Sequence, residues 1–273
     1  MKHIMSRKET SMLKSTETPV KFAGDRKVTN HATQKGELGT AATVNDKNSF
    51  GLSASRCTNR TPFCDSCYAA STERQWNTVF EALEHNWRAI EPHLDDKIAL
   101  YKLLAVGVEE SIAQKVKRNV PVDKWQFRWF WDGDIPSQAF AEAMDMIAIA
   151  YPDVKFWVYT RCFQYVPTLT AENLAVYMST DMWNWEWAVQ VRSENPHVMF
   201  AFNGKDWAET QAVAELCGEP RGLKCPEQVG RIDLVEWSEE TTKAGKYVGE
   251  GACARCDYCT VGKGNVRFAI NPK

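Results

Sequence analysis

The sequence predicts an α/β protein: a partial (β/α) barrel with an N-terminal arm and a C-terminal Cys-rich appendage. Three observations carry this reading. Between residues 125 and 217 short aromatic or β-branched runs alternate with helical patterns, a rhythm that implies a parallel sheet. Residues 1–48 are polar, rich in Lys, Thr and Ser, and show no sustained apolar period. From residue 219 onward glycines, charges and four cysteines replace the rhythm. A chain of 273 residues accommodates one large domain or one domain with an appendage. The expected divisions are 1–48, 49–218 and 219–273.

Taken in order, residues 1–48 form an arm, either mobile or draped over the body. Residues 49–55 are a candidate first strand that delivers Cys57. Over 68–90 large residues recur at helical spacing, with Trp76, Phe80, Leu83 and Trp87 three and four apart. A second long helix spans 95–118, with Ile98, Leu100, Tyr101, Leu104, Val108, Ile112 and Val116 as its apolar side. Asp95 and Asp96 suit its start, and Lys115, Lys117 and Arg118 its end, because they complement the helix dipole. Residues 125–131 read as a strand ending at Asp132-Gly133-Asp134, and Ser137 caps a helix to about residue 151. Strands are expected at 155–161, 174–179 and 197–202. Helices are expected at 183–191, capped by Thr180 or Asp181, and at 206–217, closed by Gly218. Residues 266–270 suit a last strand.

Composition narrows the function. Thirty-three Lys and Arg face 35 Asp and Glu, so the overall field is near neutral. That argues against non-specific duplex binding as the main role, though a local basic patch stays open. The first residues lack the apolar core of a signal peptide, and no run of about 18 apolar residues suggests a membrane span. A cytoplasmic location is expected, where thiols stay reduced. Nine cysteines are present, clustered rather than spread as in a secreted disulfide framework.

Cys57, Cys64 and Cys67 form a C-x6-C-x2-C loop, and three thiolates on one short loop can hold one metal centre. A structural zinc site normally takes four protein ligands. A four-iron cluster has four corners, so three cysteines leave one iron free. Cys225, followed by Pro226, together with Cys253, Cys256 and Cys259, offers four thiolates: either a second four-iron cluster or a structural zinc. Cys162 and Cys217 fit neither group, and a lone Cys is more often a small buried hydrophobe. His3, His31, His85, His93 and His197 have no paired metal spacing. Trp183, Trp185 and Trp187 cannot share one helical face; they either pack at the barrel rim or line a substrate opening.

The Cys loop ending in Cys67-Tyr68-Ala69 is followed by three further motifs: the run 131–137 around Asp132-Gly133-Asp134, the run 156–161 ending in Arg161, and Tyr177 to Asp181. This ordered set resembles the phage gene-product-88-like family from about residue 50 to the C-terminus. That family in turn looks like a divergent relative of the radical SAM superfamily. Two departures stand out. The usual radical SAM loop is C-x3-C-x2-C with an aromatic residue before its third Cys. Here the first gap is six, that residue is Ser66, and the aromatic is displaced to Tyr68. The resemblance implies a barrel of the radical SAM type, with S-adenosylmethionine on the free iron and a 5′-deoxyadenosyl radical as the hydrogen abstractor. It also implies an electron donor and an unknown substrate, either a small molecule or a nucleotide, with nucleic acid also open and a host cytoplasm as the setting.

In parallel α/β sheets ligands bind at the C-terminal strand ends. Gly133 and Asp134 lie where radical SAM enzymes hold the methionine amine; the plain alternative is an Asp-Gly turn. Arg161 is expected either to grip a carboxylate or phosphate or to close a salt bridge at a strand end. Ser179 and Asp181 are candidates for ribose hydroxyls, with helix capping as the alternative for Asp181. Asn203 ends the fifth strand at the same edge. Two rivals to the radical enzyme are a non-catalytic Cys-rich protein that binds nucleic acid or a host protein, and a cluster-bearing redox protein that does not use SAM.

Overall fold

A computed structural model describes residues 20–35, 43–44, 46–241 and 246–272. The remainder of the expected arm, residues 1–19, 36–42 and 45, lies outside the described residues. Within the described part, Phe22 packs against the rings of Phe50 and Phe127, at centroid distances of 5.8 and 6.0 Å. It lies over Gly107, where any Cβ would overlap the Phe22 ring. Two short strands follow, β1 (Ala32–Lys35) and β2 (Thr43–Val44).

Helix α1 (Tyr68–Gln75) and helix α2 (Asn77–Ile90) occupy the region expected to be one helix. Trp76 leaves helical geometry between them, and this turns the buried side of α2 to Leu83, Asn86, Ala89 and Ile90. Trp76 and Phe80, expected on the apolar stripe, are exposed for that reason. Helix α3 (Lys97–Lys117) is capped by Asp96, whose carboxylate accepts from the amides of Ile98 and Ala99.

The central sheet then begins with β3 (Gln126–Trp129). It continues through α4 (Gln138–Ala150), β4 (Lys155–Thr160), β5 (Leu174–Thr180), α5 (Trp185–Glu194), β6 (Met199–Gly204) and α6 (Trp207–Leu216). Ser137 caps α4 and Asp206 caps α6 through their side-chain oxygens. The last part holds β7 (Leu223–Lys224), β8 (Val235–Thr241), β9 (Lys246–Gly251), α7 (Ala252–Cys256) and β10 (Val266–Ala269).

Six strands form a parallel sheet in the order β3-β4-β5-β6-β10-β7. Residues 48–52, read as a first strand, run parallel along the outer edge of β3. Arg128 N donates to Asn48 O and Phe50 N to Arg128 O. Beyond Phe130, whose φ is +52°, the ladder resumes between Trp131 N and Phe50 O and between Leu52 N and Asp132 O. The expected strand therefore stops three residues short of 55, and a 3-10 turn, Ala54–Arg56, leads into the Cys loop.

The expected C-terminal appendage does not stand apart. β10 lies between β6 and β7 inside the main sheet, while β8 and β9 complete a second, antiparallel sheet in the order β2-β1-β9-β8. Parallel pairing needs a crossover between neighbours, and here the whole stretch from β7 to β10 serves as that crossover.

Strand periodicity divides the side chains between the two faces. One face, with Phe127, Trp129, Phe156, Val158, Val176, Met178, Phe200 and Phe202, is covered by helices and forms the main core. The opposite face carries Tyr159, Tyr177, Met199, Ala201, Val266 and Phe268, packed against Cys225 and Cys259. Among the described residues no helix is long and apolar enough to cross a membrane.

Candidate functional site

The face turned away from the helices opens on a cavity of about 640 Å³. Its floor follows from strand alternation: Arg128 on β3, Trp157 and Tyr159 on β4, Ser179 on β5, Asn203 on β6 and Phe268 on β10. One side is the Cys loop, with Phe63, Cys64, Cys67 and Tyr68. The other is the C-terminal crossover, with Cys225, Cys253, Cys256 and Cys259. The two cysteine groups of the sequence thus meet across one space.

The Cys loop is held in place from several sides. Arg60 donates to the carbonyls of Ala54 and Cys64. Thr61 Oγ1 donates to Asp181 Oδ2 at 2.7 Å, and Arg161 Nη1 closes a salt bridge to the same oxygen at 2.5 Å. The Arg161 guanidinium also lies 5.5 Å from the centre of the Phe63 ring. Asp181 Oδ1 accepts from the Trp183 amide. Of the alternatives weighed above, the salt bridge is the arrangement found for Arg161, whereas the expected cap at Thr180 or Asp181 is not: α5 starts at Trp185 with Asn184 in the cap position, and Asp181 accepts from Trp183 ahead of the helix. Asp181 is fully buried, so both residues dock the loop on the ends of β4 and β5.

Asp134 is likewise committed. Its carboxylate accepts from Thr160 Oγ1 at 2.6 Å, from Arg161 N at 2.7 Å and from Ile135 N at 2.8 Å. It is buried and does not line the cavity; burial raises its pKa against the pull of those donors. Gly133 has φ +80°, and a Cβ there would lie 2.6 Å from Leu52 O. The glycine serves the close approach of two chain segments, with no ligand between them. Arg161, Ser179 and Asn203 remain as expected ligand residues that line the cavity, while Gly133, Asp134 and Asp181 lie behind its wall.

Beneath the loop Asp132, expected at the end of the strand 125–131, meets a second carboxyl group, Glu73, that the sequence reading did not single out. Glu73 accepts from Ala54 N at 2.6 Å and from Ser53 Oγ at 2.8 Å. Asp132 Oδ1 accepts from Gly133 N, while its buried Oδ2 has no donor and faces Glu73. Burial, together with the charge of Glu73 and the contact with it, pushes Asp132 up to about 8.

All nine cysteines are free thiols. Burial raises the Cys57 thiol strongly, with Asp134 and Asp132 adding to it, so a metal centre would have to supply the charge that makes it a thiolate. Burial also raises Cys253, against the opposing fields of Arg128 and Lys27. Among the described residues no three Cys, His, Asp or Glu side chains gather closely enough to hold a single metal ion. Cys57 does not line the cavity; it faces inward toward Asp132, Asp134 and Cys162. Trp187 packs on Phe163 with ring centres 4.8 Å apart, whereas Trp183 is exposed. The sequence reading also missed Lys27, Arg128, Tyr159 and Tyr177. For Arg128, Tyr159 and Tyr177 the signal was the period-two alternation of polar and aromatic residues with apolar ones along β3, β4 and β5; Lys27, in a turn, had none.

Fold and site define a class: a mixed α/β protein whose parallel sheet carries a thiol-lined cavity on the face opposite its main core. The particular family follows from comparison. The family model described as "Gene product 88" matches residues 18–262, and the chain belongs to that family. It is 32% identical to the Gene 88 protein of Mycobacterium phage L5, over 93% of this chain and 99% of the relative. It is 30% identical to the Gene 88 protein of Mycobacterium phage D29, with the same two coverages. No solved structure matches it.

Proposed function

We propose that this is an iron–sulfur protein that acts as a radical-SAM-like enzyme on an unknown substrate, nucleotides and nucleic acid included. The observation that carries the reading is the placement of Cys64 and Cys67, with Cys57 on the same loop, at the C-terminal ends of a parallel sheet beside a cavity of about 640 Å³. Cys64 and Cys67 face the cavity as two of the three ligands of a four-iron cluster with one open corner, and Cys57, which faces Asp132 and Asp134, would have to turn toward them as the third. Three free thiols lie on a loop braced by Arg60, Thr61, Arg161 and Asp181, and a cluster's ligands bind separate irons. Bound there, the cluster and S-adenosylmethionine would supply one-electron radical chemistry. The protein's share is to orient and enclose. Ser179 and Asn203 offer polar contacts from the cavity floor, and Tyr68, Trp157 and Tyr159 offer flat apolar walls. A partial barrel of the radical SAM type is the finer description of the six-stranded sheet that this reading entails.

The saturation of Asp134 favours a second reading, in which the cluster serves redox chemistry without S-adenosylmethionine. One experiment separates the two. Anaerobically reconstituted protein is reduced and its EPR spectrum recorded with and without S-adenosylmethionine. A spectrum that the added compound changes supports the enzyme. A cluster signal indifferent to it leaves the redox reading, and no iron bound by the loop overturns both.

A further inference from the structure

We infer that Cys225, Cys253, Cys256 and Cys259 hold a second iron–sulfur cluster that faces the loop cysteines across the cavity, with the Tyr177 hydroxyl as its hydrogen-bond donor. The assignment does not depend on the use of S-adenosylmethionine.

The spacing of these residues in the chain leaves zinc and iron equally open, and their placement separates the two. All four thiols line the cavity, and among the described residues no three of them gather closely enough to hold a single ion. A tetrahedral ion needs its four ligands on one centre. A four-iron cluster binds each thiolate to a different iron and accepts a wider arrangement. The backbone fixes that arrangement from three separate parts of the chain. Cys225 N donates to Arg267 O on β10, and Cys253 N donates to Lys27 O at 2.7 Å. Asp257, in the left-handed conformation, turns the chain between Cys256 and Cys259 and pairs with Lys155 at 3.0 Å.

The surroundings suit an anionic sulfur centre. Tyr177 is fully buried, and its hydroxyl has no hydrogen-bond partner; the Cys259 thiol lies close enough to act on it electrostatically. Tyr159 packs against Tyr177 with ring centres 5.3 Å apart and presents its own hydroxyl to the same sulfur. Lys27 and Arg128 line the wall beside Cys253, each already paired with a carboxylate, Glu227 and Asp25 respectively. A buried hydroxyl left without a partner is costly. A thiolate sulfur on a cluster accepts its hydrogen bond, and such bonds help set the reduction potential.

The test uses the full chain, reconstituted anaerobically with iron and sulfide, as wild type and as Cys64→Ser/Cys67→Ser, Cys253→Ser/Cys256→Ser and Tyr177→Phe. The expected wild-type content is about eight irons with negligible zinc, falling to about four in either double variant. Tyr177→Phe should keep its iron and move one of the two potentials to a more negative value. Loss of all iron only in the Cys253/Cys256 variant, with four in the wild type, would support this site while sinking the loop cluster. Zinc at this group in protein purified under anaerobic conditions, or unchanged iron in the Cys253/Cys256 variant, would overturn the proposal. Should that variant fail to fold, the wild-type metal content and the Tyr177→Phe potential decide, and an unmoved pair of potentials removes the assigned role of Tyr177.

Discussion

Asp132→Asn should stabilise the protein above neutral pH. In the folded chain Asp132 is held at about 8, far above the ordinary aspartate value, because it is buried and faces the Glu73 carboxylate. A folded-state pKa raised above the unfolded one favours the fold fully only below the unfolded value of about 4, and that contribution is lost as pH climbs through about 8. Each pH unit in between carries about 1.4 kcal/mol, so the step from pH 6 to pH 8 withdraws about 2–3 kcal/mol. That is a large fraction of a typical domain stability of about 5–15 kcal/mol. Asparagine reproduces the protonated form: its oxygen accepts from Gly133 N in place of Oδ1, and its amide donates to Glu73. Urea unfolding of both proteins at pH 6, 7 and 8 isolates the pair, since every other titrating group is shared. The stability difference in favour of the variant should widen with pH by about 2 kcal/mol or more. Parallel pH profiles, or a difference that narrows as pH rises, would refute a shared proton at this site.

Gly133→Ala places a Cβ against Leu52 O at a residue with φ +80°, and should cost about 1–3 kcal/mol, read as a lower unfolding midpoint in urea. Arg161→Ala strands the fully buried Asp181 and should cost about 3 kcal/mol, with Arg161→Ala/Asp181→Asn recovering part of the loss in a double-mutant cycle. Asn86 accepts from Lys21 N and donates to Lys21 O and Gly51 O, so Asn86→Ala should cost about 2–4 kcal/mol. It should also speed proteolysis near residue 21. Serine at both Cys64 and Cys67 should abolish iron binding by the proposed loop cluster while circular dichroism stays unchanged, because neither thiol is part of the main core.

Much of this molecule follows from local chemistry. Caps at Asp96, Ser137 and Asp206, the apolar strands 155–160 and 174–180, and the Gly218 terminus all act within one or two helical turns, so the chain order alone reveals them. The cysteine spacings belong to the same category, since a C-x2-C pair turns back on itself wherever it is placed. What lay beyond reach were relations between distant segments. Whether Asp134 faces a ligand or the Arg161 and Ile135 amides depends on how β4 meets the loop after β3. Arg161 and Asp181 had been separate candidates; the pairing of β4 with β5 makes them partners and turns both toward Thr61. The C-terminal stretch reads as a Cys-rich tail because the strands by which it joins the main sheet, β7 and β10, have only two and four residues. Only the insertion of β10 between β6 and β7 brings four thiols over Tyr159 and Tyr177. Residue type and spacing determined which groups are available for chemistry. The packing of strands far apart in the chain decided which of them face the cavity and which are consumed in building its wall, because a buried carboxylate binds whichever donors the fold brings to it.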